Sequence, residues 1–214
     1  MPTGRRFGVL YNEFMPTMPA NPKRDLITLL EDISLCRICE GLIPEPRPVL
    51  RAAHSARILI IGQAPGTKVH ASGIPWDDAS GRRLRSWLNV DSDTFYDPAL
   101  FAIVPMGFCY PGKGKSGDLP PRPECASQWH HSLLELLPGI ECTLLIGRYA
   151  QQHYLENNYP TLTECVQNWR RFAPTQFVLP HPSPRNQLWL RRNSWFEEET
   201  VPALQDHVAK ILEA

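Results

Sequence analysis

Two short loops in this sequence combine residues that can bind a polar or negatively charged group. The first, Gly62-Gln63-Ala64-Pro65-Gly66, has glycines that let the backbone turn sharply and approach a ligand, and a proline that stiffens it. Backbone N–H groups in such a turn bind a carbonyl oxygen or an anion. The second, His181-Pro182-Ser183-Pro184-Arg185-Asn186, sets an imidazole, a hydroxyl and a guanidinium on a rigid loop, which suits a phosphate or a developing negative charge. Each loop alone also fits an ordinary connection or a structural histidine.

A single tryptophan, Trp76, stands in the polar segment that follows the first loop. An indole in such a segment either closes the apolar surface beneath the loop or offers a flat platform for the ring of a base. The sequence leaves both interpretations open.

Four of the six cysteines have a spacing that indicates a cofactor. Cys36 and Cys39 form a Cys-x-x-Cys pair, whereas Cys109 and Cys125 come from distant segments. Structural zinc sites often use two short pairs. One short pair with two distant thiols favours a four-thiolate iron–sulfur site, with zinc or unligated buried thiols as the alternatives. The other two cysteines fall in apolar patterns and are predicted to be core residues.

Buried strands are expected to position both loops. The apolar runs that predict strands buried on both faces are residues 57–62, 101–107, 142–147 and 176–180. Helical patterns separate them, which predicts a three-layer α/β/α fold with a central, mainly parallel four-stranded sheet. The two loops follow the first and fourth strands. They should therefore meet at the carboxyl edge of the sheet, where binding sites form.

The helix termini carry recognisable signals. Asp25 and Ser80 are predicted N-caps of the first two helices. Pro123 and Glu124 are expected to open a third helix, because proline and an acid suit the first turn. Pro202 is expected to interrupt the last helical pattern.

Composition bounds the class of protein. With 214 residues, 43% hydrophobic content and a formal net charge of +0, the chain can bury a core. The neutral total gives no support for capture of nucleic acid by bulk charge, so any such binding must come from local patches. The N-terminal stretch has no signal-peptide pattern and no run has the length of a membrane span. We expect a soluble, cytoplasmic monomer with an N-terminal arm over residues 1–22 and a single domain over 23–214.

Together these motifs resemble those of the uracil-DNA glycosylase superfamily. GQAPG resembles its Gly-x-x-Pro-Gly first motif, and HPSPRN resembles its His-Pro-Ser second motif, closest to the single-strand-selective monofunctional branch. GIPW followed by GRRLR resembles the Gly-x-Pro-Phe and Gly-x-x-Leu stretch of family 4, with Trp76 at the base-stacking aromatic position. The cysteine spacing is similar to that of the four cluster ligands in family 4.

The resemblance implies a monofunctional DNA glycosylase that hydrolyses the N-glycosidic bond of uracil or a related damaged base, as in base excision repair. The base would be extruded into the pocket. Gln63 and His181 would stabilise the departing base anion, and a water would attack an oxocarbenium-like sugar. The residues that the resemblance assigns to substrate binding are Gly62, Ala64, Pro65, Gly66, Trp76, Ser183, Arg185 and Asn186.

Two positions depart from the superfamily pattern. Ala64 stands where many members carry an Asp or Asn that orients water, as is also usual in family 4, so Asp77 is the carboxylate predicted for that role. A solvated loop acid is the alternative for Asp77. Pro105 stands where an asparagine usually reads the pyrimidine edge, and a proline side chain makes no such hydrogen bonds. The preferred base is therefore open.

Local positive charge is predicted to contact a DNA backbone. The candidates are Lys113, Lys115, Arg122, Arg82, Arg83, Arg85, Arg185, Arg191 and Arg192. The apolar trio at residues 188–190 either forms a wedge into the vacated base stack or is buried in the core.

Two other functions remain open at this point. Ala64 and Pro105 also suit a glycosylase-like domain that binds nucleic acid without cleaving it. An enzyme acting on free nucleosides or nucleotides would turn over without DNA and would depend little on salt.

Overall fold

The computed structural model describes residues 25–156 and 159–214. The arm expected over residues 1–22 lies outside the described residues. The α-helices are α1 (Leu26–Ser34), α2 (Thr67–Ser72), α3 (Ala79–Leu88), α4 (Ser92–Tyr96), α5 (Pro123–Cys125), α6 (His131–Glu135), α7 (Arg148–Tyr154), α8 (Leu162–Gln167), α9 (Gln187–Arg192) and α10 (Val201–Glu213). The strands are β1 (Ile58–Ile61), β2 (Phe101–Ile103), β3 (Lys113–Gly114), β4 (Gly117–Asp118), β5 (Cys142–Ile146) and β6 (Gln176–Leu179).

The central sheet is four-stranded and all-parallel, in the order β2-β1-β5-β6. Every residue of β1 and β2 is buried, as their continuous apolar sequences predict for strands covered on both faces. Helices flank the sheet, so the predicted α/β/α architecture is confirmed. Because β2 and β5 lie on opposite sides of β1, the chain changes direction there. A crevice at the carboxyl ends of the strands is expected at that point.

The hydrophobic core fills the space around the sheet. Its largest fully buried side chains include Phe95, Phe101, Phe108, Phe177 and Phe196. The two cysteines of the apolar patterns, at 142 and 165, are also buried in this core. In the described part of the chain, no helix combines the length and the apolar character needed to cross a membrane.

The helix caps agree with the sequence signals in all but one case. The Asp25 carboxylate accepts a hydrogen bond from the Thr28 N–H at 2.8 Å, as predicted. The prediction that Ser80 caps α3 is wrong, because Asp78 is the N-cap and accepts from the Gly81 N–H at 2.8 Å. Pro202 lies in the first turn of α10, directly after a π-helical turn over Phe196–Thr200.

A small antiparallel hairpin of β3 and β4 was not predicted. Lys113 pairs with Asp118 and Gly114 pairs with Gly117. The segment has no alternating apolar pattern, so the sequence carries no strand signal. The Arg185 guanidinium donates to the Ser116 carbonyl at 3.2 Å and so ties the hairpin to the second loop.

Candidate active site

A cavity of about 570 Å³ lies at the carboxyl edge of the sheet. It is lined by residues that follow all four parallel strands and by the β3–β4 hairpin. The predicted site residues that line it are Gly62, Gln63, Ala64, Pro65, Gly66, Trp76, His181, Ser183, Arg185 and Asn186. Asp77 is not brought to the cavity. Its side chain is exposed, and the neighbouring Asp78 lines the wall instead.

The first loop is fixed by backbone hydrogen bonds that extend the β1–β2 pairing. The Met106 N–H donates to the Gly62 carbonyl and the Gly107 N–H to the Gln63 carbonyl, both at 2.9 Å. These bonds hold the loop beside Pro105, which also lines the cavity. The first loop therefore keeps a defined shape at the edge of the sheet, which suits a rigid set of backbone donors.

Trp76 forms one wall of the cavity in an unusual backbone conformation. Its φ angle is 58°, in the left-handed region that bulky residues rarely adopt. The indole lies against Gly62, where an added Cβ would be 2.8 Å from the ring, and stacks on the His181 imidazole with ring centroids 5.5 Å apart. A Cβ at Gly81 would overlap the Trp76 carbonyl oxygen. Glycine at 62 and 81 thus allows this placement of the indole.

Replacing Gly81 with alanine is expected to lower the melting temperature. Alanine normally stabilises a helix interior by about 1 kcal/mol relative to glycine. A loss of stability in this variant would therefore come from the clash between the added Cβ and the Trp76 carbonyl oxygen. Ser86→Ala, on the exposed face of the same helix, is the matched control and should be neutral or stabilising. Thermal unfolding of both variants checks this, and a more stable Gly81→Ala chain would contradict it.

His181 is partly buried against Trp76 and Gly147. Burial lowers the pKa of the imidazole, and the negative charge of Asp78 opposes that shift. The ring is therefore neutral at neutral pH and donates one N–H. The Asn186 side-chain amide donates to the His181 carbonyl at 2.7 Å. The loop conformation is thus supported by a bond that does not involve the imidazole.

Arg83 anchors the second loop from helix α3. Its guanidinium donates to the Ser183 carbonyl at 3.2 Å and to the Gln187 side-chain oxygen at 2.8 Å. The Ser183 hydroxyl accepts from the Arg185 N–H at 3.2 Å. The side chains of Arg83 and Ser183 are therefore held in place by hydrogen bonds within the protein.

Pro105 lies on the cavity wall with a buried histidine behind it. The Pro105 carbonyl accepts a hydrogen bond from His130 Nε2 at 3.1 Å. His130 Nδ1 then accepts from the Tyr154 hydroxyl, because a carbonyl cannot donate. Burial lowers the pKa of His130 to about 4, so it stays neutral. The wall at Pro105 offers no side-chain hydrogen bond to a ligand.

The uracil DNA glycosylase superfamily model matches residues 50–205. This chain belongs to that superfamily. Its members are usually hydrolases that act on DNA and release a base. The matched range contains both loops, Trp76 and the whole central sheet.

In this superfamily member, the lining residues that sequence reasoning missed include a tyrosine and two carboxylates. Tyr149 follows strand β5, and the rule that sites form at the carboxyl ends of strands would have found it. Asp78 was passed over in favour of Asp77, its neighbour in sequence. Asp118 had no sequence signal, since it reaches the cavity through the unpredicted hairpin.

Cys109 and Cys125 of the predicted cluster site have pKa values raised chiefly by burial. The pKa of Cys109 is raised to about 12, with smaller contributions from Cys125, Cys36 and Cys39, and that of Cys125 to about 11, with smaller contributions from Cys39 and Cys36. The Phe108 N–H donates to the Cys125 sulfur at 3.4 Å. Over residues 25–156 and 159–214, no three His, Cys, Asp or Glu side chains form a group that could hold a metal ion.

Some of the residues predicted to contact DNA interact with other side chains of the protein, and others are exposed to solvent. Arg122 forms an ion pair with Glu124, and Arg85 packs over the Tyr96 ring. Lys113 and Lys115 are exposed on the hairpin. In the apolar trio, Leu188 is 58% exposed and Leu190 is 3% exposed. The Trp189 indole N–H donates to the Thr163 hydroxyl at 2.8 Å, so Leu188 is the member available to contact DNA.

Proposed function

We propose that this chain is a monofunctional DNA glycosylase that hydrolyses the N-glycosidic bond of uracil or a related damaged base in DNA. The observation that carries the proposal is the convergence of the Gln63 loop, Trp76 and His181 on one cavity in a member of this superfamily. We further propose that it acts as a monomer in the cytoplasm.

The cavity supplies what base release requires. The extruded base stacks on Trp76, and one of its carbonyl oxygens faces the backbone N–H groups around Gln63 and the N–H of His181. When the bond between the sugar carbon and the base nitrogen breaks, the electron pair leaves with the base. These donors stabilise the resulting negative charge more strongly than that of the intact nucleotide, which lowers the barrier. Water then adds to the oxocarbenium-like sugar.

The wall at Pro105 widens the range of bases that the cavity accepts. Neither the Pro105 side chain nor its carbonyl, which His130 engages, resembles the amide that reads the uracil edge elsewhere in the superfamily. Uracil, oxidised pyrimidines and deaminated purines are all suitable probes. Which of them is cleaved defines the substrate class.

A strand-scission assay tests the proposed function. Labelled oligonucleotides that carry each base, single-stranded and duplex, are incubated with the chain and then heated in alkali. Scission at the modified position is expected, because alkali cleaves an abasic site. Ala64 and Pro105 favour a second function, binding without cleavage. In that case the protein would bind the oligonucleotide in a binding assay, and alkali would cleave no strand, whichever base it carries.

We also propose that Cys36, Cys39, Cys109 and Cys125 hold a 4Fe–4S cluster, as the family 4 resemblance implies. The hydrogen bond from the Phe108 N–H to the Cys125 sulfur supports it, since such bonds accompany thiolate ligands. A cluster has its ligands at separated corners, whereas zinc gathers four around one ion. When bound, it would supply cross-links between distant segments of the chain.

Leu188 is proposed to fill the space that the extruded base leaves in duplex DNA. Leu188→Ala should therefore slow base release from duplex about tenfold, with a smaller effect on single strands, which have no stack to repair. Leu35→Ala, which removes another exposed leucine, is the control. Equal losses on duplex and single-stranded substrates would argue against the wedge.

A further inference from the structure

We propose that Asp118 is the catalytic carboxylate that orients the attacking water and stabilises positive charge on the sugar. The inference rests on the proposed glycosylase function and assigns the group that Ala64 does not provide. It comes from the β3–β4 hairpin, which brings a residue distant in sequence to the first loop.

The hairpin holds Asp118 against the first loop. A Cβ added at Gly66 would lie 3.4 Å from Asp118 Oδ2, so the carboxylate occupies the space beside this glycine. On the opposite side, Arg185 donates to the Ser116 carbonyl at 3.2 Å and packs where a side chain at Gly117 would be. The hairpin therefore connects the two motif loops and presents Asp118 between them.

Of the two carboxylates that line the cavity, Asp118 is the one that receives no hydrogen bond from the described residues at either oxygen. The lining includes two carboxylates, Asp78 and Asp118. Asp78 Oδ1 accepts from the Gly81 N–H and serves as the cap of α3. Within residues 25–156 and 159–214, the Asp118 side chain has no hydrogen bond or ion pair. It can therefore accept a proton from a bound water.

Asp118 is placed to act on the sugar rather than on the base. Its side chain is exposed, whereas Trp76 and His181 are partly buried deeper in the cavity. An extruded nucleotide inserts its base and keeps its sugar at the mouth, where the phosphate backbone continues. Lys113, the cross-strand neighbour of Asp118, and Arg185 supply positive charge that offsets repulsion between this carboxylate and the phosphates.

The reaction step balances as a hydrolysis. The bond between the sugar carbon and the base nitrogen breaks, and the base takes the electron pair. A water oxygen forms the new bond to the sugar carbon, and one of its protons passes to the Asp118 carboxylate. That proton returns through solvent to the base anion, so the products are an abasic sugar and the neutral base.

Single-turnover kinetics of Asp118→Asn test this assignment. Asparagine keeps the shape of the side chain and removes its negative charge. The rate of base release should fall about a hundredfold, as for loss of a general base, while affinity for DNA with an abasic-site analogue stays equal or increases. Added formate should partly restore Asp118→Ala, because a small carboxylate can occupy the vacated space. Asp93→Asn, which removes an exposed carboxylate on α4, is the matched control.

Four outcomes would overturn the assignment. Asp118→Asn could release base at the wild-type rate. Alternatively, Asp77→Asn could lose the rate of base release instead, which would assign the orientation of the attacking water to Asp77, the residue predicted from sequence. A loss of DNA affinity equal to the loss of rate, without rescue by formate, would make Asp118 a structural residue of the hairpin. A wild-type chain that releases no base would overturn the proposed function itself, and this assignment with it.

Discussion

Replacing His181 with alanine is expected to slow base release by about a hundredfold to a thousandfold and to leave the fold intact. The imidazole lies in the cavity wall against Trp76, where its N–H can reach a departing base. Removing a donor that acts on charge developing in the transition state lowers the rate more than the affinity. The loop itself should persist, because the Asn186 amide binds the backbone carbonyl of residue 181 and not its side chain.

Two variants control for this effect. His181→Gln keeps an N–H donor and should recover part of the lost rate. His131→Ala removes a histidine whose side chain is 86% exposed on α6, and should behave as wild type. If His181→Ala released base at the wild-type rate under single-turnover conditions, the imidazole would have no part in the reaction.

The pH dependence follows from the direction of the His181 pKa. Burial lowers that pKa below the ordinary histidine value of 6.5, so protonation occurs only on the acid side of it. The neutral imidazole is the donor, and the rate should not fall as pH rises from about 6.5 to 8. A rate that dropped through this interval would mean that the imidazolium cation is the active form.

Replacing Cys109 or Cys125 with serine is expected to remove the visible absorption and the iron of the purified protein. Wild type prepared without oxygen should be brown and hold about four irons per chain. The two residues bound the segment that carries the hairpin, so the melting temperature should also fall by several degrees as this segment loses its cross-link. Iron analysis and thermal unfolding measure the two effects separately.

Cys165→Ala is the matched control for the cysteine variants. Its thiol is buried in the core and its pKa is raised by burial alone, with no contribution from the other thiols. This variant should keep its iron even if it loses some stability. If the purified wild type were colourless and held one zinc ion per chain, the four cysteines would form a zinc site and not an iron–sulfur cluster. Iron retained in the Cys109 and Cys125 variants would exclude these residues as ligands.

The sheet and the meeting of the two motif loops could be predicted because both follow from short-range patterns. Continuous apolar runs indicate strands buried on both faces, and parallel strands bring their carboxyl ends to one edge. His181 and Gln63 are 118 positions apart, yet this rule alone assigns them to the same cavity, as the structure confirms.

The carboxylates could not be assigned in the same way. Asp77 and Asp78 are adjacent in sequence, and the folded backbone places Asp78 in the cavity wall and leaves Asp77 exposed. The position of Asp118 at the cavity depends on a hairpin that Arg185 stabilises from another loop, so no local sequence pattern predicts it. Leu188 and Leu190 lie on different faces of helix α9, and the packing of that helix leaves the first exposed and the second buried.

The central claim is that the cavity formed by the Gln63 loop, Trp76 and His181 hydrolyses the bond between a base and its sugar. Mass spectrometry of a uracil-containing oligonucleotide, incubated with wild type, tests it most directly. We expect free uracil and an oligonucleotide of the mass of the abasic product, in which a hydroxyl has replaced the base. Bound oligonucleotide of unchanged mass, for uracil and for every other base of the panel, would contradict the claim.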